Sequence, residues 1–356
     1  MINSSFWLNK KVFLTGHSGF KGSWLALWLS NMGAKVYGYS LKPYTDPCLY
    51  NKIKISDFIE SSIIGDIRNY NNILSNIKKI DPDIVFHLAA QPLVRYSYNY
   101  PLETFSTNII GTANILEASR ACNNIKSIII VTSDKCYENK DENISYVENN
   151  PMGGHDPYSS SKGCAELISK AYYNSFFLNQ GVGIATVRAG NIFGGGDWSD
   201  DRLIPDAVRA ISNSKKLIIR NPNSIRPWQY IHDPLNGYLL LAEKLYFSAD
   251  EFSGPWNFGP DNNNEDLTVN NLLNIFKLSL KNHNLEIQTF KNDNNLYEAK
   301  ILKLNSSKSN KLLNWYPKLN INEGINQTAL WYENYLHNKD MISFSIDQIK
   351  NFMSIE

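Results

Sequence analysis

The chain has 356 residues, and its 35 basic and 34 acidic side chains leave a formal net charge of +1. No whole-molecule field therefore draws it to nucleic acid or to an anionic membrane, and any phosphate it binds has to be met by local groups. Hydrophobic residues make up 43%, enough for a sizeable core in one large α/β domain or in two smaller ones sharing a cleft, which argues against a small peptide-binding module. No apolar run approaches the ~20 residues of a membrane-spanning helix, and the opening MINSSFWLNKK lacks the apolar centre of a signal peptide, so a soluble cytoplasmic protein is expected. Cys48, Cys122, Cys136 and Cys164 are widely scattered, with no CxxC and no histidine at ligand spacing. They read as reduced thiols, and no metal site is expected.

In chain order, residues 12–16 (VFLTG) read as a buried strand, 22–31 as an apolar helix and 35–41 as a second strand. Further strands are expected at 58–63, 84–88, 127–132 and 183–187, with helices between them at 70–79, 104–122 and 158–178. Strands alternating with helices imply a doubly wound parallel α/β sheet with ligands at the carboxyl ends of its strands. After Arg188 the pattern gives way to Gly-, Asp-, Pro- and Trp-rich segments, Gly194-Gly195-Gly196-Asp197-Trp198 and Arg226-Pro227-Trp228. A smaller, irregular second domain is expected there, with a helix at 235–245 leading back to the first. The expected division is 1–188 plus about 230–256 for nucleotide binding, and about 189–229 plus 257–356 for the substrate.

The first strand runs straight into Gly16-His17-Ser18-Gly19-Phe20-Lys21-Gly22 and then a helix. Glycines let the backbone approach a pyrophosphate, and a helix N-terminus offers free N–H groups and the positive end of a dipole. The setting favours a cofactor loop over a plain tight turn. Its spacing, GxxGxxG, departs from the GxGxxG fingerprint and points to one branch of the Rossmann proteins.

Two later segments carry acid and base groups: Thr132-Ser133-Asp134-Lys135, and Tyr158 with Lys162 one helical turn on. A phenol, a carboxylate and two amines beside a nucleotide site exceed what hydride transfer needs, and the surplus suggests that water is eliminated as well. Tyr158 and Lys162 alone would more often be a solvated helix face, and Asp134-Lys135 alone a turn with a surface ion pair. Their place at the end of a central strand, where ligands bind in such sheets, favours function.

The GxxGxxG loop, Asp66-Ile67 after the third strand, Leu88-Ala89-Ala90-Gln91 after the fourth, Ser133 after the fifth and the Tyr158/Lys162 pair together resemble the extended short-chain dehydrogenase/reductase family, over nearly the whole chain. Within it, GHSGFKGSWL, LAAQPLVRYSY, VTSDKCY, RAGNIFGGGDW, DRLIPD, IRPWQYI and WNFGP are most similar to the sugar-nucleotide 4,6-dehydratases that act on CDP-glucose. The resemblance implies a Rossmann-type fold holding NAD through Gly16, Ser18, Gly19, Phe20, Gly22, Ser40, Asp66, Ile67, Leu88, Ala89, Ala90, Gln91, Asn108, Tyr158 and Lys162. It further implies CDP-glucose or a related NDP-hexose as substrate, met by Gln91, Asn191, Arg202, Arg220 and Arg226, and a homo-oligomer, dimer or tetramer, built through the helices at 104–122 and 158–178. For Arg220 a plain structural salt bridge remains open. Trp198, Trp228 and Trp256 could stack on a base, but core is expected for at least two of them. His87, inside a strand, reads as packed core.

On this resemblance, Ser133, Asp134, Lys135, Tyr158 and Lys162 form the catalytic set. Oxidising C4 of a hexose acidifies C5–H and so opens the way to loss of the C6 hydroxyl. Tyr158 would be the base at C4, its phenolate favoured by Lys162; Lys135 would take the C5 proton, Asp134 would protonate the leaving hydroxyl, and Ser133 would hold the C4 oxygen. A 4-epimerase, or a dehydratase of another NDP-hexose, is the alternative. One position departs from common NAD proteins: the end of the second strand, Tyr37-Gly38-Tyr39-Ser40-Leu41-Lys42, has no carboxylate for the adenosine ribose. Lys42 would even suit a 2′-phosphate, so NADP stays a minor alternative and loose NAD retention is expected.

Overall fold

Two stretches, Ser127–Val131 and Gly183–Ala189, are buried at every position, as parallel strands covered on both faces must be. In the computed structural model, which describes residues 2–260, 267–280, 285–289, 299 and 301–355, they lie in the middle of a seven-stranded parallel sheet. Its strands are β1 (Lys11–Thr15), β2 (Lys35–Ser40), β3 (Ser61–Ile64), β4 (Ile84–His87), β5 (Ser127–Val131), β6 (Gly183–Ala189) and β7 (Gly254–Phe258), in spatial order β7-β6-β5-β4-β1-β2-β3. The order reverses between β1, which pairs Val12 with Val36, and β4, which pairs Ile84 with Val12. This is the crevice where such sheets take their ligand.

Alternation along each strand divides the interior in two. Val12, Leu14, Phe86, Ile129, Val131 and Val187 join one apolar cluster, while Phe13, Val85, Ile128, Ile130 and Ile184 join the other on the opposite face. Helices α1 (Phe20–Asn31), α2 (Tyr70–Ile80), α3 (Gly111–Ser119) and α4 (Pro157–Tyr172) connect the strands of the first half. The two long helices expected from sequence are each interrupted by a π turn, at Ser106–Ile110 and Tyr173–Phe177. The third strand starts later than expected, because Phe58 closes a turn onto Ile55 instead of pairing.

Beyond β6 the chain forms α5 (Leu203–Ser212), a two-residue parallel pair of Gln229–Tyr230 with Ile192–Phe193, and α6 (His232–Phe247), which leads back to the sheet. Then come β7, α7 (Ile321–Leu336) and α8 (Met341–Ser354). Helix α8 packs on α1, with Trp28 and Phe352 ring centroids 5.7 Å apart and the Trp28 indole nitrogen 3.2 Å from the Met353 sulfur. It also packs on α7. We propose that the substrate half consists of residues 189–229 and the segments between β7 and α7.

Helix α4 is fixed to the sheet by a buried ion pair. Arg188 of β6, 2% exposed, donates from Nε and Nη2 to the two carboxylate oxygens of Glu166 at 2.9 and 2.7 Å. Thr132 and Thr186 hydroxyls also donate to Glu166, and Arg188 Nη1 donates to the Tyr137 hydroxyl at 2.7 Å. Removing one partner of such a pair strands a buried charge. We therefore expect Arg188→Met to lower the unfolding free energy by about 3–5 kcal/mol, read from urea denaturation; a loss below about 1 kcal/mol, the worth of an exposed pair, would show that solvent reaches Glu166.

Candidate active site

The glycine loop turns at Gly16, whose φ is +79°. A Cβ there would lie 2.7 Å from the Ala89 nitrogen, and one at Gly22 would lie 2.0 Å from the Gly16 carbonyl oxygen. Both glycines are therefore required by close backbone approach. Gly19 caps α1 in extended geometry, and no side chain caps the helix there, so its first N–H groups are available to an anion. These features fit a dinucleotide diphosphate. The loop is tied to β2 through Ser40 Oγ, which bonds Ser18 Oγ at 2.9 Å and His17 Nδ1 at 3.1 Å. Thr15 Oγ1 accepts from the Leu88 and Ala89 nitrogens, both at 3.2 Å, aligning the segment after β4 with the loop.

At the end of β5, Ser133 caps a short 3-10 turn spanning Asp134–Cys136. Its hydroxyl accepts from the Lys135 nitrogen at 3.2 Å and donates to Asp134 Oδ1 at 2.9 Å. Asp134 is 2% exposed and its Oδ2 has no hydrogen-bond partner. Burial raises its proton affinity, while Lys135, the Ser133 bond, Arg226 and Lys21 oppose the rise. The turn is the start of a cavity, and not a surface ion pair.

Tyr158 enters from the first turn of α4, where Asp156 caps the helix by accepting from the Ser159 nitrogen. Burial pushes its phenol up to about 12, with the charge of Asp134 adding to the rise, while the Ser133 hydroxyl and the charge of Arg202 pull it down. Lys162 was expected to supply that pull. Instead its ammonium donates to the Val131 carbonyl at 3.1 Å, and burial lowers its own proton affinity to about 8 against the opposing charge of Glu166.

Ser133, Asp134, Lys135 and Tyr158 line a cavity of about 270 Å³, together with Asn191, Arg202, Arg220 and Arg226. An adjoining cavity of about 350 Å³ shares Lys135, Asn191, Arg202, Arg220 and Arg226. Arg202 donates to buried Asp197 at 2.9 Å, Arg226 is itself buried, and Arg220 pairs with exposed Asp201 at 3.2 Å, the structural salt bridge weighed above. Trp228 lines the cavity, whereas Trp198 packs on Tyr332 and Tyr335, and Trp256 stacks on Phe252. His87 is core, bonded to Thr15 and Thr112 and held neutral by burial, which lowers it to about 3.

Other expected residues lie elsewhere. Gln91 is absent from the lining of both cavities; its amide bonds Thr104 at 2.9 Å and the Leu93 nitrogen at 2.5 Å. Asn108, in the π turn, accepts from the Gln91 nitrogen at 2.8 Å and donates to Ser161 at 2.9 Å, pinning the loop after β4 to α4. Asp66 is engaged by Arg68 at 2.5 Å, and Ile67 packs under Gly111. No carboxylate stands at the end of β2, as the sequence reads.

Sequence reasoning missed Lys21. It follows Phe20 in the first turn of α1 and reaches the cavity floor. Burial and the neighbouring charges of Arg202 and Lys162 lower its amine to about 7, against Asp134 and Asp197. Only its position inside the glycine loop hinted at this, since a lysine there also reads as a solvated helix start.

The model of one protein family, GDP-mannose 4,6 dehydratase, matches residues 13–328. The chain belongs to the GDP-mannose 4,6-dehydratase family. Among curated members of this dehydratase family and its kin, CDP-glucose 4,6-dehydratase of Salmonella typhimurium is 46% identical over 99% of both chains. The dTDP-D-glucose 4,6-dehydratase of Dictyostelium discoideum is 26% identical over 96% of this chain and 85% of its own. Solved structures share the fold: an epimerase from Methanothermobacter thermautotrophicus at a TM-score of 0.80 and 22% identity, covering 94% of this chain and 95% of that one, and a dTDP-glucose 4,6-dehydratase from Bacillus anthracis in complex with NAD at 0.76 and 22%, covering 94% and 99%.

Lys21 gives a pH-dependent prediction. In the unfolded chain its amine holds a proton up to about 10.5, in the ligand-free fold only up to about 7. The unfolded state binds more protons between those values, so stability rises with pH across that window, and the cost of burying the charge is felt in full below about pH 7. Lys21→Met should raise Tm most near pH 6, with the gain fading toward pH 10. An equal gain at both ends would show that the amine stays charged in the fold.

Proposed function

We propose that this chain is an NAD-dependent hydro-lyase that converts CDP-glucose to CDP-4-keto-6-deoxyglucose. The observation that carries the reading is the buried, half-unpartnered Asp134 carboxyl, bonded to Ser133 and lining the same cavity as Lys135 and Tyr158. Its agreement with a full-length relative of that activity supports it. The Gly16 to Gly22 loop would hold NAD, which would supply the hydride acceptor for C4 and the hydride donor for C6.

Tyr158 takes the C4 hydroxyl proton, with the charge of Arg202 easing formation of its phenolate. A ketone at C4 then acidifies C5–H, and Lys135, at the junction of the two cavities, removes that proton. Burial raises the proton affinity of Asp134, which fits it to give a proton to the departing C6 hydroxyl. Arg202 and Arg226 offer planar forks to the diphosphate. A 4-epimerase would use Tyr158 and Lys162 but would have no work for a protonated Asp134 or for Lys135.

The expected dimer finds support in the apolar side chains Leu102, Ile110, Leu167 and Phe176, exposed on the segments flanking and forming α3 and α4; a dimer or tetramer through them is part of this reading. So is a cytoplasmic place of work. Among the described residues, no helix is long and apolar enough to cross a membrane.

Turnover assays across CDP-, dTDP-, UDP- and GDP-glucose should give a product absorbing in strong alkali with the cytidine nucleotide first. An unchanged hexose oxidation level would mean epimerisation instead. Lys135→Ala and Asp134→Asn should each cut product formation by about 10²-fold or more while reduced cofactor still accumulates on mixing with substrate. Undiminished turnover in Lys135→Ala would place the C5 base elsewhere.

A further inference from the structure

Arginines are in surplus beside the site. Among the described residues, Arg95, Arg202, Arg220 and Arg226 line the adjoining cavity of about 350 Å³, against two carboxylates, Asp156 and Asp201. Asp156 is committed to capping α4, which leaves Asp201 to face the arginines. It meets two of them with one oxygen. Asp201 Oδ1 accepts from Arg220 Nη2 at 3.2 Å and Nη1 at 3.4 Å, and from Arg95 Nη1 at 3.5 Å. The three side chains come from separate segments: Arg95 from the short helix Val94–Asn99, Asp201 from the turn before α5, and Arg220 from the residue after the strand Leu217–Ile219. Their hold on one another is weak. Well-formed bonds between charged groups run at about 2.7–2.9 Å, whereas all three here are longer, and the Asp201, Arg95 and Arg220 side chains are 41%, 36% and 33% exposed. Arg202 on buried Asp197, at 2.9 Å, is the contrast. Exposed pairs of this kind add little to stability, so holding the fold is not what the arrangement accomplishes.

We propose that Arg95 and Arg220 form a clamp for the substrate diphosphate and that Asp201 is its resting anion, a carboxylate that occupies the phosphate's place until the nucleotide displaces it. A phosphate group offers several oxygens to two guanidinium forks, each able to bind two of them at once, where Asp201 offers Oδ1 alone. The exchange therefore favours the phosphate. Arg220 and Asp201 also line the cavity of Asp134 and Tyr158, so the clamp sits where a hexose seated there would carry its diphosphate toward the second cavity. In the free protein Asp201 keeps the two arginines paired near their place of use, which spares them the repulsion of like charges. Arg95 thereby joins Arg202 and Arg226 in reading the diphosphate, and Asp201 sets how tightly it is held.

The inference rests on the reading of a sugar nucleotide as substrate, and calorimetric titration of CDP into the NAD-loaded chain, run beside the turnover assays, separates the two. If wild type neither binds CDP nor turns over any of the four sugar nucleotides, that reading falls and takes the clamp with it. With CDP bound by wild type, Asp201→Asn should tighten its Kd by about 3- to 10-fold, the range expected on releasing two exposed pairs. Asp201 has a left-handed φ of +55°, which Asn tolerates as well as Asp does, so the turn is kept while the charge is removed. Should that variant fail to fold, Asp201→Gly makes the same removal in a backbone that glycine favours. Arg95→Gln should weaken CDP binding by about 10-fold, and Arg95→Lys, which keeps the charge without the fork, should recover only part of the loss. In the Arg95→Gln background the gain from Asp201→Asn should shrink, because one of the two arginines it would release is gone. Asp200→Asn removes an equal charge one residue away, from a side chain 76% exposed, and should change Kd by less than about 2-fold. Unchanged CDP binding in Arg95→Gln, or unchanged or weaker binding in Asp201→Asn, overturns the clamp and leaves the dehydratase reading standing. A gain equal in both backgrounds and matched by Asp200→Asn overturns it too, since Asp201 would then act only as a distant charge.

Discussion

A carboxylate that solvent cannot reach, Glu166, holds the site together. Four side-chain bonds converge on it, two from Arg188 of β6 and one each from Thr132 at the end of β5 and Thr186 of β6. A buried anion with that many donors has one well-defined position, because any displacement leaves a donor or an oxygen unpaired in a poorly polarisable interior. Since Glu166 belongs to α4, the helix cannot slide on the sheet. Tyr158 and Lys162, two turns and one turn earlier on that helix, are placed against Ser133 and Val131 by the same restraint. The network runs on through the Tyr137 hydroxyl to Asn257 of β7, so a segment remote in sequence is fixed to the same frame.

Within that frame, low solvation gives chemically ordinary groups unusual proton affinities. Asp134 is raised, Lys21 and Lys162 are lowered, and Tyr158 is raised. Each shift favours the neutral form, which is what burial does to acids and amines alike. The consequence is a chamber whose net charge is carried mainly by its arginines, the side chains that keep their proton when buried. A dianionic diphosphate entering it would meet Arg202, already bonded to Asp197, and the buried Arg226.

The hydrogen bonds also divide the expected cofactor residues by task. Gly16 and Gly22 act through absence of a side chain, and no other residue fits their contacts. Gln91 and Asn108 act on each other and on Ser161, so they join the loop after β4 to α4 and determine where its backbone lies. Ser18 and Ser40 join the glycine loop to β2 in the same way. Contact with a ligand and placement of the contact surface are different roles, and residues of one motif are split between them.

Local chemistry made much of this legible from sequence. Strand periodicity, the glycine spacing before a helix and the four-residue step from Tyr158 to Lys162 are short-range patterns, and each depends only on backbone geometry that neighbours in the chain share. The doubly wound sheet, the glycine loop before α1 and the cluster after β5 follow from them. Tertiary structure alone decided the rest, because burial is set by residues far apart in the chain. It turned Lys21 from a solvated helix start into a cavity amine, brought the charge of Arg202 to bear on Tyr158, drew Gln91 away from the cavity, and laid α8 on α1. No sequence pattern marks Glu166 and Arg188 as partners, since what joins them is the crossing of a helix over a strand, and only that crossing removes the water that would otherwise screen both charges.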